Sequence, residues 1–287
     1  MIHTAKQLKD KVRNLSKGDN DIAKALIRTF VMERFLERVS LSKYRENFIL
    51  KGGMLVASIV GVRIRATMDI DTTVKAMPLN IRETEKIVEE IMAVPVEDDV
   101  AFKIKSVSTI MEDFDYPGVR IMLEASLGKM RQSVKLDIST DDVITPSAIE
   151  YEYRLMFEDR TIRLLTYNIE TLLSEKMQTI LARGTANTRM RDFYDIFKIA
   201  GDGNQKIDPQ TLYLAFCATC KKRGTLFSEN QIEEILTEIS EDDNMPQMWE
   251  RFRKKNFFVG NLQWEDVAEE VLHSIQTAVS GGSNGNG

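Results

Sequence analysis

The chain has 287 residues, 43% of them hydrophobic and 29% charged, and a formal net charge of −5 from 39 Lys and Arg against 44 Asp and Glu. That balance fits a globular chain of one large or two smaller domains and argues against global disorder, collagen-like repeats and low complexity. It also argues weakly against a protein that coats nucleic acid non-specifically, which needs clustered cations.

The first residues, MIHTAKQLKDKVRNLSKGDND, are polar and mixed in charge. They lack the apolar core of a secretory signal. No stretch approaches the ~20 apolar residues that span a bilayer. Two cysteines, Cys217 and Cys220, cannot build a disulfide framework. The expected setting is the cytoplasm, with no membrane contact.

Residues 20–39 carry Ile22, Ala25, Leu26, Phe30, Val31, Phe35 and Leu36 at helical spacing, with Asn20 or Asp21 as N-cap. Phe48, Ile49 and Leu50 form a short apolar run before Lys51-Gly52-Gly53, and MLVASIV then reads as a short helix ending at Gly61. From Thr67 to Ala76 the pattern alternates: Met68, Ile70, Thr72 and Val74 on one face, Asp69, Asp71, Thr73 and Lys75 on the other. Residues 79–93 read as a helix with a charged face. Phe102 to Met111, Val119 to Ala125 and Ser133 to Ile138 read as strands, the first two longer than the third. Tyr116-Pro117-Gly118 and Leu127-Gly128-Lys129 read as the turns between them.

Residues 140–159 are acid-rich and fit no element, and Thr161 to Leu165 suits one more strand. Asn168 caps a helix running to Arg183, and 190–200, 208–222, 228–239 and 264–279 read as further helices. The expected fold class is therefore α/β (α+β): a mixed sheet with helices over 1–165, a mostly helical part over 166–280, and a disordered tail at 281–287. The boundary falls near 160–168.

Chemistry concentrates at Asp69-Ile70-Asp71. On a strand, residues i and i+2 share a face, roughly 7 Å apart at about 3.3 Å per residue. Two such carboxylates repel each other unless a cation lies between them, and Mg²⁺ favours carboxylate and phosphate oxygens. Two solvated acids on an exposed strand give the same pattern. Gly52 and Gly53 stand about sixteen residues upstream, before a short helix, where backbone and helix N–H groups suit a phosphate. Arg63 and Arg65 approach the same strand and suit a triphosphate or plain solvent. A third acid, Asp137, lies on a later strand and shares a face with Lys135, opposite Val134, Leu136 and Ile138. Three converging acids can hold two metal ions for phosphoryl transfer.

Glycine pair, short helix, (T)xDxD and a later strand Asp together resemble the nucleotidyltransferase superfamily with the DNA polymerase β-like fold. FILKGGMLVAS and RIRATMDIDTT, followed by SEKMQTILARG and TRMRDFYDIFKI, narrow the resemblance to the AbiEii/AbiGii toxin family, over roughly residues 25–200. Many polymerase β-like enzymes carry Gly-Ser in the first motif. Here the second residue is Gly53, which removes any role for a serine there.

The resemblance implies a nucleotidyltransferase toxin of a toxin–antitoxin pair active in abortive phage infection. Asp69, Asp71 and Asp137 would hold Mg²⁺ (or Mn²⁺), with an NTP as substrate. Gly52, Gly53, Arg65, Lys176 and Arg183 would meet the nucleotide. Lys176 and Asp192 are the implied functional residues of the helical part: Lys176 for the triphosphate, Asp192 as proton acceptor or as orienter of Lys176. Lys176 and Arg183 lie two turns apart on one side of their helix. Plain packing of Phe193, Ile196 and Phe197, with Arg191 and Asp195 paired, is the structural alternative for RDFYDI. The acceptor would be an RNA (tRNA) 3′ end or a protein hydroxyl, and the antitoxin is separately encoded. An NTP-binding module without turnover, or a protein-binding adaptor, are the rival readings.

Other features read as structural. Cys217-x-x-Cys220 lacks partners for zinc, which takes about four ligands. Trp249 and Trp264 suit packing. Arg251, Arg253, Lys254 and Lys255 suit a solvated helix face better than an RNA backbone.

Overall fold

The computed structural model describes residues 1–61, 65–77, 80–111, 117–201 and 205–280. The chain packs as two units, Met1–Asp142 with Ala148–Thr166, and Val143–Ser147 with the chain from Tyr167 onward. The expected tail, 281–287, lies outside the described residues.

The first unit contains α1 (Ala5–Ser16), α2 (Asn20–Leu41), β1 (Phe48–Lys51), α3 (Gly52–Val60), β2 (Asp69–Val74), α4 (Ile81–Met92), β3 (Ala101–Met111), β4 (Pro117–Leu127), β5 (Met130–Thr140), β6 (Ile149–Arg154) and β7 (Thr161–Thr166). The strands form one mixed seven-stranded sheet in the order β3-β4-β5-β2-β1-β7-β6. β2 and β5 run parallel, as do β1 and β7, and the other neighbours run antiparallel. The α/β expectation holds, with strands in the first part of the chain and helices in the second.

Several local expectations change. Asp19 caps α2, its carboxylate accepting from the Asp21 and Ile22 N–H groups. It lies one residue before Asn20 and two before Asp21, the expected caps. α1 forms where only a polar segment is expected, closed by a Thr4–Gln7 capping box. The three consecutive strands β3, β4 and β5 are equally long at eleven residues each. Pro117 and Gly118 belong to β4, and Tyr116 of the expected turn lies outside the described residues, while Gly128 does turn, at a φ of 57°. The unassigned segment supplies β6, which pairs with β7 in full register from Ile149↔Thr166 to Arg154↔Thr161.

The core lies on one face of the sheet. Ile70, Val119, Ile121, Leu123, Val134, Leu136 and Ile138 are all buried. α2 packs over β5 and β7, and α4 over β3 and β4. α2 is buried beyond its apolar stripe, because Glu33, Arg34, Glu37 and Arg38 are also buried. Arg34, Glu37 and Arg38 are ion-paired, as buried charge requires, and Glu33 is hydrogen-bonded. Arg38 makes a fork on Asp98 at 2.7 and 2.8 Å and also donates to the Val100 carbonyl. Arg34 contacts Glu37 and Glu158, and Arg160, just before β7, contacts Glu37 and Glu158. Glu33 accepts the Met156 N–H at 3.1 Å. The charged side of α2 is thus covered by the β6–β7 hairpin and the segment before β3.

The second unit is helical: α5 (Ile169–Arg183), α6 (Met190–Ala200), α7 (Pro209–Lys222), α8 (Glu229–Glu241), α9 (Asn244–Lys255) and α10 (Trp264–Ser280). Asn168 caps α5 as expected, accepting the Thr171 N–H at 2.8 Å. α9 is the helix that carries the basic run, with bounds that the sequence did not give. It brings Trp249 against Phe252 and Trp264, and the Trp249 indole donates to the Leu262 carbonyl at 2.9 Å. Both tryptophans pack in the core of this unit. In the basic run, Arg253 and Lys254 pair with Glu250. Cys217 and Cys220 are free thiols on α7. Among the described residues no helix is long and apolar enough to cross a membrane.

Candidate active site

Two adjacent parallel strands build the site. In the register of β2 with β5, Asp69 lies opposite Lys135 and Asp71 opposite Asp137. Alternation then sends all four side chains to the face opposite the Ile70–Leu136 core. Asp69, Asp71 and Asp137 converge, each offering a carboxylate oxygen within 4.8 Å of the others.

The charges around them are closely matched. Lys135 Nζ lies 2.6 Å from Asp69 and 3.6 Å from Asp137. Arg120, paired with Asp137 across β4 and β5, forks onto both of its oxygens at 2.7 Å each. Thr67 donates its hydroxyl to Asp69 at 3.1 Å. Lys51, opposite Asp71 on β1, contacts Asp142 at 2.5 Å, and Ser139 donates to the same carboxylate. Burial, and after it the charge of Asp69, pushes the Asp71 carboxyl up to about 6, against the opposing pull of Lys51 and of the Gly53 N–H. Burial lowers the proton affinity of Lys135, but the hydrogen bond and charge of Asp69, with Asp137, outweigh it and the net shift is upward.

The glycine pair is explained by its neighbours in the chain. Gly52 has a φ of +62°, and a Cβ there would fall 2.2 Å from Asp71 Oδ2. A Cβ on Gly53 would fall 2.5 Å from the Thr67 hydroxyl and 3.1 Å from Arg65 Nη2. The Gly53 N–H, expected from the sequence at a phosphate, donates to Asp71. The start of α3 therefore braces β2. Arg65 is buried beside this turn and donates to the Ala66 carbonyl at 2.6 Å. Arg63 lies outside the described residues.

In the second unit, Lys176 on α5 is buried and donates to Asp192 at 3.0 Å and to Asp195 at 2.7 Å, both on α6. Arg189 adds an ion pair to Asp192 at 3.0 Å. Asp195, the partner that plain packing expects for Arg191, also accepts from Lys176. Arg183 ends α5 with its side chain exposed.

Sequence reasoning missed Lys51, Arg120 and Lys135 as members of the site. Lys135 carries a readable signal, since it stands two residues before Asp137 on the same strand face. Arg120 carries none, because only the β4–β5 register brings it to Asp137.

The donor set is all oxygen, which fits a hard divalent ion such as Mg²⁺ or Mn²⁺. The ammonium of Lys135 already stands between two of the three carboxylates, so the cluster accepts positive charge at that place.

Comparison with known proteins gives a family and a fold. The sequence model of one family, described as "Nucleotidyl transferase AbiEii toxin, Type IV TA system", matches residues 34–272. No match is found among curated proteins. Among solved structures, a candidate nucleotidyltransferase from H. pylori gives a TM-score of 0.50 at 15% identity, over 89% of this chain and 96% of its own. The JHP933 protein of Helicobacter pylori gives 0.49 at 16%, over 90% and 94%. An antigenic nucleotidyltransferase-like protein from Paracoccidioides brasiliensis gives 0.37 at 16%, over 70% and 88%. At such identities the first of these likenesses speaks for the fold alone.

Proposed function

The chain belongs to the AbiEii family of nucleotidyl transferase toxins of type IV toxin–antitoxin systems, and from that premise we propose a metal-dependent enzyme that moves a nucleotidyl group from an NTP to a hydroxyl of an RNA or protein acceptor. The observation that carries the proposal is the convergence of Asp69, Asp71 and Asp137 from two strands to within 4.8 Å. Three carboxylates held so close repel one another, and the fold nonetheless fixes them with the Gly52 turn and the Arg120 fork.

A bound Mg²⁺ or Mn²⁺ would supply Lewis-acid stabilisation of charge on the phosphate oxygens. The chain's own side chains do the remaining work. Asp69 and Asp71 fix the cation side of the site from a paired strand, so little reorganisation is needed. Lys135 and Arg120 surround the same face with positive charge suited to a polyphosphate. Asp137, oriented by Arg120, takes the proton of the attacking hydroxyl as its oxygen bonds to the α-phosphorus in line. The bond to the leaving pyrophosphate breaks in the same displacement. Lys176 is proposed as a phosphate-binding cation and Asp192 as the group that orients it. The family resemblance and the 3.0 Å contact between them support those roles. Gly52, Gly53, Arg65 and Arg183 remain proposed nucleotide-side residues on the resemblance alone. The family implies a separate antitoxin partner, and the cytoplasm, where NTPs and tRNA abound, is the proposed setting.

The test is direct. Purified protein with Mg²⁺, each labelled NTP in turn, and either total tRNA or a protein extract should label one acceptor class. Asp69→Ala should abolish the label. Equal labelling by the variant and the wild type removes the acidic site from the mechanism.

A further inference from the structure

We propose that Lys135 is a built-in counter-cation: its ammonium holds Asp69 and Asp137 together while no divalent ion is bound, and it must release both before one can bind. The inference rests on the metal-dependent reading above and assigns Lys135 a positioning role within it.

The geometry leads there in three steps. Lys135 Nζ reaches two of the three converging acids, at 2.6 Å and 3.6 Å. The place is fixed by the sheet, because Lys135 stands opposite Asp69 in the β2–β5 register and two residues before Asp137. Finally, an ammonium and a divalent ion seek the same carboxylate oxygens, and at the few ångströms that separate such positions their like charges repel, so the two compete for the place.

Arg120 makes the contrast. Its fork takes Asp137 from the β4 side with two matched bonds of 2.7 Å, a planar arrangement that orients the carboxylate. Lys135 is a point charge on a flexible four-carbon stem, able to leave without backbone movement. Once released it stays on the site's face, where its charge suits the polyphosphate of an NTP. Metal and nucleotide should therefore bind cooperatively: the ion displaces the ammonium, and the polyphosphate receives it.

The experiment uses the full chain, stripped of metal with EDTA, and reads free Mn²⁺ by electron paramagnetic resonance. Lys135→Gln should bind Mn²⁺ at least tenfold more tightly than wild type and melt at a lower temperature without metal, with Mn²⁺ restoring the loss. Lys135→Arg, which keeps a cation, should stay within about threefold of wild type. A non-hydrolysable nucleoside triphosphate should tighten Mn²⁺ binding more in wild type than in Lys135→Gln. A second measurement needs no variant: acetic anhydride labelling of wild type, read by peptide mass spectrometry, should show Lys135 several-fold more reactive with Mn²⁺, while Lys103 and Lys105 stay constant.

Equal or weaker Mn²⁺ binding by Lys135→Gln, or labelling of Lys135 that Mn²⁺ leaves unchanged, overturns the inference while the metal site stands. If wild type binds no Mn²⁺, or Asp69→Ala binds it equally well, the metal-dependent reading itself fails and takes this inference with it.

Discussion

Replacing Gly52 by alanine adds one carbon atom at the most crowded point of the site. Two penalties arise and can be separated. The first is conformational: at a φ of +62° a side chain is strained, by about 1–2 kcal/mol. The second is collision, since the new Cβ would stand 2.2 Å from Asp71 Oδ2 and 2.8 Å from its Cβ and Cγ. Relieving it means moving β2 or rotating Asp71 out of place, an overpacking term of about 1–3 kcal/mol. Together these give roughly 2–5 kcal/mol and a fall in melting temperature of about 5–15 °C. Gly128→Ala supplies the control, because its φ is +57° and nothing lies within 4 Å of the added carbon. Urea unfolding of both variants isolates the collision as their difference. In an Asp71→Gly background the collision loses its partner, and Gly52→Ala should fall to the level of Gly128→Ala. Nucleotidyl transfer by Gly52→Ala should drop about a hundredfold, as expected when a reacting group is misplaced by about 1 Å. If Gly52→Ala is as stable as Gly128→Ala and labels its acceptor at the wild-type rate, the proposed brace between Gly52 and Asp71 does not exist.

Burial, against the charge of Arg34, the Met156 N–H and the Tyr153 hydroxyl, pushes the Glu33 carboxyl from 4.5 up to about 8. The folded chain then holds a proton that the unfolded chain has lost, so stability is full below about 4.5 and falls as pH rises to about 8, by at most about 5 kcal/mol. Glu33→Gln should therefore match wild type in urea at pH 5 and exceed it at pH 8.5; no difference between the two pH values counts against the burial argument. Arg38→Met leaves the buried Asp98 carboxylate without its fork and should destabilise by about 3–5 kcal/mol, with Arg38→Met/Asp98→Asn recovering a large part. Lys176→Met removes the ammonium between Asp192 and Asp195 and should destabilise by a similar amount in thermal unfolding. Any loss of transfer activity in that variant is therefore to be compared with Lys176→Arg, which should unfold within about 1–2 kcal/mol of wild type.

The strand with DxD, the capped helix at Asn168 and the division into a sheet part and a helical part are legible in the residues themselves. Each depends on local periodicity, on side-chain oxygens that reach the next turn, or on the alternation of strand faces, all of which act within a few residues. The facing of Asp137 away from Leu136 is legible for the same reason. Its meeting with Asp69 and Asp71 is not, because parallel register is set by the whole sheet and by the helices that cover it. Register also delivers Arg120 to Asp137, and the Gly52 turn to Asp71. The acid-rich segment hides β6 because an edge strand needs only one neighbour and tolerates Glu150 and Glu152 on its exposed positions. Nothing local marks the charged side of α2 for burial, yet the structure buries it, since Asp98, Glu158 and Arg160, which neutralise it, stand 60 to 124 residues away in the chain from their partners. By itself the sequence determined which side chains could do chemistry and on which face of their element each would stand. Tertiary structure alone decided which of them meet, because a charge finds its partner through packing that no local pattern encodes.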